Sequence, residues 1–346
     1  MAILLHRKIL HRIFPKTRGK FSLFKNFSPF GVFRTGFFFH TRPVIPSRLF
    51  LCGPTASGKT ALALALAEAW GGEIVNGDAF QVYRGLEILS AAPSAEEQAV
   101  CAHYLFGITD AKESMDAAKY AALANPVIAE IESRGKTAIV VGGSGLYLKF
   151  LTHGIAEAPP GDEVIRAELE DWSVEKIFTR LQELDPDEAA RQNSKNRRHL
   201  SRALEICLVT GGKASELRQN FEDPALLDGL QGVALTWPRD VLAGRIALRT
   251  KVMLETGAID EVKALPLDAG TIRQAIGVRE IEAYLKGDMT LAECEERITI
   301  STRQYAKRQR NWFRRESWLR AIDGSLPLDQ QVEQVTRWDS LQSDHS

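Results

Sequence analysis

The chain has 346 residues, with 44 Lys/Arg balanced by 44 Asp/Glu, 45% apolar and 25% charged residues. This is room for one large or two ordinary domains of globular composition, which excludes a disordered, collagenous or disulfide-scaffold protein. No apolar run reaches the roughly 18 residues of a membrane helix, so no membrane partner is expected. Cys52, Cys101, Cys207 and Cys294 are scattered without a C-x-x-C pair, which argues against a thiolate metal site and for a reducing compartment.

The zero net charge hides two unlike parts. Residues 1–42 carry nine Lys/Arg, no Asp/Glu and nine of the sixteen Phe, and the first acid is Glu68. Such an acid-free segment reads as a basic extension outside the fold, with an organelle transit peptide as the alternative. The four scattered thiols point to the cytoplasm, with organelle import through residues 1–42 as the lesser reading. Residues 48–52 form a short apolar strand, and the Ala/Leu-rich stretch 60–70 is a strong helix former stopped by Gly71-Gly72. A second strand follows at 73–77, a helix at 115–134 and a β-branched strand at 137–141. Alternation of this kind predicts a parallel sheet covered on both faces.

The texture changes at Ala158-Pro159-Pro160-Gly161, after which the chain is charged and helical to about residue 230. A strand returns at 233–237, and long helices at 240–264 and 290–316 lead back to the core. The expected organisation is an extension (1–46), an α/β core (47–158 and 232–320), a helical insertion (159–231) and a tail (321–346).

Gly53-Pro54-Thr55-Ala56-Ser57-Gly58-Lys59-Thr60 matches G-x-x-x-x-G-K-[ST] between a strand and a helix, the context the motif requires. Glycines turn backbone N–H groups toward phosphate oxygens, and the helix N-terminus adds its dipole. Lys59 supplies a point charge and the Thr60 hydroxyl can hold Mg²⁺. The fold class is therefore α/β, with a P-loop NTPase-like parallel sheet. The motif leaves the phosphate compound open.

Asp78 follows the second strand at its carboxyl end, where doubly wound sheets bind ligands. Metal ligand, general base and helix N-cap all fit that position. The following Ala79-Phe80-Gln81-Val82-Tyr83-Arg84-Gly85 adds an amide able to pair with an adenine edge, and aromatics that either stack or fill the core. Between Arg297 and Arg320 lie eight basic residues and one acid, interleaved with Tyr305, Trp312, Phe313 and Trp318. This suits phosphate neutralisation and base stacking, or a helix packing its aromatics inward.

The loop, Asp78-x-x-Gln81-Val82-Tyr83-Arg84-Gly85, Gly142-Gly143-Ser144-Gly145-Leu146-Tyr147, Arg202-Ala203-Leu204-Glu205 and Arg303-Gln304-x-Ala306-Lys307-Arg308-Gln309-x-x-Trp312-Phe313-Arg314 occur in this order. Together, over about 48–315, they resemble the tRNA dimethylallyltransferase family. The resemblance implies transfer of a dimethylallyl group from its diphosphate to N6 of the adenosine 3′ to the anticodon, in tRNAs reading codons that begin with U. It implies that the loop holds a diphosphate rather than ATP, with Mg²⁺ as cofactor and Thr60 as its ligand, and that Asp78 is the general base. Asp78, Ala79, Phe80, Gln81, Ser144, Arg166 and the segment Arg198, His199, Leu200, Ser201 and Arg202 match tRNA-contacting positions. The partners implied are dimethylallyl diphosphate and a tRNA anticodon stem-loop, with a monomeric enzyme.

The chain departs from the family pattern at Ala79 (commonly Ser), at Ala92 within Ser90-Ala91-Ala92-Pro93 (commonly Lys) and at Gln274 (often Arg or Lys). Ser144 stands where Thr is usual. Competing readings are a P-loop small-molecule or nucleotide kinase, which would use Asp78 toward a hydroxyl, an adenylate isopentenyltransferase, and an RNA-binding module without catalysis.

Overall fold

The computed structural model describes residues 45–154, 159, 161–221, 227 and 229–337. The basic Phe-rich segment 1–44 and the tail 338–346 lie outside the described residues. The chain divides into two compact units, 1–148 with 230–346, and 149–229.

The first unit is built on a six-stranded sheet. Its strands are β1 (Arg48–Cys52), β2 (Glu73–Asn76), β3 (His103–Tyr104), β4 (Ala138–Gly142), β5 (Gly232–Thr236) and β6 (Leu319–Asp323), in the order β3-β2-β4-β1-β5-β6. Every pairing is parallel. β1, β2 and β4 are buried along their length, save for half-buried Arg48, as expected for apolar strands covered on both faces. From β1 the chain crosses to β2, beyond β4; from β4 it returns to β5, on the other side of β1. The loops after β1 and β4 thus leave in opposite directions, which opens a crevice at the carboxyl edge.

Helix α1 (Lys59–Trp70) buries Leu62, Ala63, Ala65, Leu66 and Ala67 and stops on Gly71 in the left-handed conformation. Short helices α2 (Glu87–Ser90) and α3 (Ala95–Gln98) precede β3, and α4 (Ala117–Ser133) leads to β4. α5 (Gly145–Thr152) carries the chain out of this unit.

The second unit consists of α6 (Glu163–Glu170), α7 (Val174–Leu184), α8 (Pro186–Arg191), α9 (Arg197–Thr210) and α10 (Ala214–Phe221), with no strand among its described residues. Side chains of Asp162, Ser173, Asp185 and Asn196 cap the first four, satisfying amides that have no partner within the helix. Leu169, Ile177, Leu181, Leu200, Ala203, Leu204 and Cys207 form its core. The division falls at Lys149, earlier than the change of texture near Pro159.

Back in the first unit, the stretch expected as one helix over 240–264 is broken at Gly257 into α11 (Arg239–Thr256) and α12 (Ala258–Lys263). α13 (Val278–Lys286) and the long α14 (Leu291–Phe313) follow. Residues 321–337 are no loose tail: β6 pairs with β5, and α15 (Leu328–Thr336) places Val332 and Val335 in the core beside α1.

Candidate active site

Gly53, Ala56 and Gly58 take positive φ values of 151°, 62° and 95°, curling the loop after β1. Its outer carbonyls are held from behind. Arg245 Nε donates to the Ala56 carbonyl at 2.8 Å and Trp237 Nε1 to that of Ser57 at 2.9 Å, while the Arg245 guanidinium lies over the Trp237 ring. These two bonds fix the loop's outer turn, while the Thr55 and Ser57 amides are engaged by Gln309 Oε1 (2.8 Å) and the Pro54 carbonyl (3.2 Å). Gly58 precedes α1 without a side-chain cap, so the helix N-terminus is open to an anion. The Ser57 hydroxyl is buried and unpartnered, a spare donor inside the loop.

Lys59 donates to the carbonyls of Gly53 (2.9 Å) and Pro54 (3.0 Å). Burial pushes its ammonium down to about 8; Asp78 opposes this and Arg249 adds to it. Burial likewise lowers Arg249, on α11, to about 10, with Asp78 opposing. Two cations and one carboxylate therefore share the crevice, and among the described residues no carboxylate forms an ion pair with Arg249. Sequence reasoning missed Arg249, because nothing local marks one arginine of a basic helix.

Asp78 is fixed through its backbone. Fully buried Asn76 accepts from the Asp78 N–H at 2.8 Å and donates to its carbonyl at 3.1 Å and to that of Leu105 at 3.0 Å. The Tyr120 hydroxyl donates to the Asn76 carbonyl. One Asp78 oxygen accepts from the Phe80 N–H at 3.1 Å, so the residue heads a turn and caps no helix. Ala79 N–H donates to Ser144 Oγ at 2.9 Å, joining the loop after β2 to the turn after β4. That approach needs glycine: a Cβ on Gly142 would lie 2.0 Å from the Gly77 carbonyl oxygen. Val82 and Tyr83 are core residues, the Tyr83 hydroxyl accepting from Met115 N–H. Gln81 spends its amide nitrogen on the carbonyls of Ser90 and Ala91, so only its oxygen remains to meet a base edge.

α14 completes the site. Gln309 is buried; its oxygen accepts from Thr55 N–H at 2.8 Å and its nitrogen donates to the Gly143 carbonyl at 2.9 Å. One turn earlier, burial pushes the Tyr305 phenol up, and Asp78, Ser144 and Gln309 all act on it. Trp312 packs against Gly145 and edge-on to buried Phe313, and Trp318 meets Phe50 edge-on. The tail aromatics thus mainly support the fold, while Arg303, Lys307, Arg308 and Arg314 are exposed.

In the second unit the expected arginines are partly committed. Buried Glu205 receives Arg166 Nε (2.9 Å), Arg202 (2.8 Å) and the Asp162 N–H (2.7 Å). Burial pushes its carboxyl up, but these donors outweigh it and hold it low. Arg166 and Arg202 keep 55% and 35% of their side chains exposed, so each has donors left. Arg198 and His199 are exposed and Ser201 half-buried. Leu200 needs correction: it is fully buried in the helical core, so its side chain touches no ligand. Arg273, next to the Gln274 departure, is paired with Glu282, while Arg279 is exposed.

A metal would have few protein ligands. Among the described residues no group of three or more His, Cys, Asp or Glu could hold one. Thr60, beside Lys59 at the head of α1, fits a metal whose remaining ligands come from a bound phosphate compound.

A phosphate loop at the switch point of a parallel sheet, faced by a lone carboxylate and a backing of cations, defines an α/β enzyme acting on a phosphorylated substrate. Comparison with known proteins narrows the class. The IPP transferase family model matches residues 81–316. The chain is 42% identical over 279 residues to the tRNA dimethylallyltransferase of Akkermansia muciniphila, covering 80% of this chain and 93% of that one. It is 45% identical over 276 residues to that of Geobacter metallireducens (77% and 88% covered). Among solved structures, the tRNA isopentenylpyrophosphate transferase of Bacillus halodurans is 34% identical with a TM-score of 0.62, covering 86% of this chain and 97% of that one. A eukaryotic dimethylallyltransferase acting on tRNA is 26% identical with a TM-score of 0.72 (87% and 81% covered). The chain belongs to the IPP transferase family of tRNA dimethylallyltransferases, and is a prenyltransferase by family.

Proposed function

We propose that the protein transfers a dimethylallyl group from dimethylallyl diphosphate to N6 of the adenosine 3′ to the anticodon, in tRNAs reading codons that begin with U. The observation that carries this reading is the convergence of Asp78, the Ser144 turn and the phosphate loop at one sheet edge, with Lys59 and Arg249 beside them. Residues 53–60 hold the diphosphate, and Thr60 would hold a divalent ion, Mg²⁺, whose charge would help neutralise the leaving group. Asp78 accepts the amine proton, offsetting the poor nucleophilicity of an exocyclic adenine nitrogen. The allylic C–O bond breaks, the N6–C bond forms, and the electron pair leaves on diphosphate, stabilised by loop amides, Lys59 and Arg249. The target base is stacked in its loop and must be flipped out to reach Asp78. Ser144 and the free oxygen of Gln81 meet it, with Ala79 and Phe80 lining its approach. Arg166, Arg198, His199, Ser201 and Arg202 engage the anticodon stem through their remaining donors.

We place the monomeric protein in the cytoplasm, where tRNA is matured and its four free cysteines stay reduced. No helix among the described residues is long and apolar enough to cross a membrane. The test is nucleoside mass analysis of tRNA incubated with the protein and dimethylallyl diphosphate. One dimethylallyl increment on adenosine supports the reading. An unmodified tRNA with robust ATP turnover would instead make the protein a kinase.

A further inference from the structure

Gln309 sits at the centre of the site without carrying charge. Its amide is engaged at both ends, accepting from Thr55 N–H at 2.8 Å and donating to the Gly143 carbonyl at 2.9 Å. Thr55 belongs to the loop after β1. Gly143 belongs to the turn after β4 and immediately precedes Ser144. One buried side chain, more than 150 residues further along the chain, thus ties together the two loops that leave the switch point in opposite directions. The fit is close: a Cβ on Gly143 would stand 2.2 Å from Gln309 Nε2. Tyr305 and Trp312, on the same stretch of α14, reach Ser144 and Gly145.

This inference rests on the function proposed above, in which the Thr55 loop holds the donor diphosphate and the Ser144 turn meets the nucleotide. We propose that Gln309 is a positioning residue for prenyl transfer, its amide holding donor loop and acceptor turn at the separation that brings the allylic carbon onto the amine. The tie requires an amide, since it must accept at one end and donate at the other. A carboxylate keeps the Thr55 bond but sets an acceptor against the Gly143 carbonyl. A thioether makes neither bond at comparable strength. Loss of the tie leaves both binding surfaces present and their registry loose. The effect therefore falls on rate more than on affinity, and misplacement by about 1 Å costs roughly 10²-fold.

The test uses the full chain with Gln309→Met, Gln309→Glu and Gly143→Ala. Single-turnover rate constants are measured with saturating dimethylallyl diphosphate and anticodon stem-loop RNA, alongside the Kd for each substrate. The expected result is a rate roughly 10²-fold lower in each variant, with both Kd values within about threefold of wild type. The Gly143→Ala/Gln309→Met double variant should be no slower than the worse single variant, because both substitutions break one contact. Rates within about threefold of wild type, a loss confined to donor affinity, or additive losses in the double variant would each overturn the proposal. Should Gln309→Met not fold, the rates of Gln309→Glu and Gly143→Ala decide it, since the first keeps the Thr55 bond and the second keeps every Gln309 atom. Failure of the underlying function shows separately, as a wild-type protein that does not alkylate the RNA at all.

Discussion

Lys59 gives donor binding a calculable pH dependence. Burial takes its ammonium from 10.5 to about 8, against the pull of Asp78 and with help from Arg249. A diphosphate binds the ammonium and not the amine. If only the protonated form binds, affinity halves near pH 8 and then falls roughly tenfold per pH unit, or roughly 30-fold between pH 7 and 9.5. A terminal phosphate completes its last ionisation at about pH 6, below this window. Stability of the donor-free protein runs the other way. The unfolded lysine holds its proton to near 10.5, so between about 8 and 10.5 the unfolded state binds more protons. Stability is then gained as pH rises through that window and lost as pH falls back through it, with none of the gain left below about 8. The assay is titration calorimetry with dimethylallyl diphosphate at fixed ionic strength from pH 7 to 9.5. Lys59→Arg keeps its charge throughout and should flatten the profile. A wild-type Kd that stays constant to pH 9.5, or an equal slope in Lys59→Arg, would refute the reasoning.

Asp78→Asn should lower the single-turnover rate by roughly 10²–10⁴ with tRNA affinity little changed; activity within a few-fold of wild type removes Asp78 as the base. Because Asp78 supports the charge on Lys59, the same variant should also move the midpoint of the donor-binding pH profile downward. Glu73, only 5% exposed, is held down to about 2 chiefly by hydrogen bonding to Arg134, with Lys136 and Tyr104 adding to it. Its stabilisation is complete above 4.5 and is lost as pH falls through 2. Discounted for the exposure of Arg134 and Lys136, Glu73→Gln should cost about 2 kcal/mol at pH 7, and equal urea midpoints would contradict this. Arg166→Ala should reduce the slope of log affinity for tRNA against log salt by about one unit; an unchanged slope would leave Arg166 as a clamp on Glu205 alone.

What could be read from the sequence was what the chain encodes locally. The phosphate loop, its flanking strand and helix, and the Asp78 and Ser144 turns all lie within short stretches whose glycines report backbone shape. Arg249, Tyr305 and Gln309 carry no such mark. They reach the crevice because α11 and α14 pack on each other beside the phosphate loop, through Leu242, Ile246 and Ala306 with Ala56 and Trp237, so only tertiary structure gives Gln309 a role distinct from the rest of its Arg303–Arg314 motif. β3 has two residues and β6 reads Leu-Arg-Ala-Ile-Asp, too short or too charged to stand out. The burial of Leu200 is legible in the sequence. With Ala203, Leu204 and Cys207 it repeats at helical spacing, which marks a core face, whereas the family segment that places Arg198 and Arg202 on tRNA carries Leu200 along only by adjacency.

Prenyl transfer to an amine asks for opposite charges at close quarters, a base for the proton and cations for the diphosphate. Left to themselves, Asp78, Lys59 and Arg249 would collapse into ion pairs, and a paired carboxylate is a poor proton acceptor. The fold prevents this by holding each group through neighbours other than its opposite. Lys59 rests on the Gly53 and Pro54 carbonyls, and Asp78 is gripped by Asn76 and the Phe80 N–H. No ion pair joins Asp78 to either cation among the described residues. The buried cations stay short of counter-charge, and a diphosphate supplies it. Under the proposed function the entering donor draws Lys59 and Arg249 to itself and leaves the carboxylate to the amine. In the proposed reaction this separation keeps the carboxylate for the amine and the cations for the leaving group, so proton acceptance and C–O cleavage are assisted within one site.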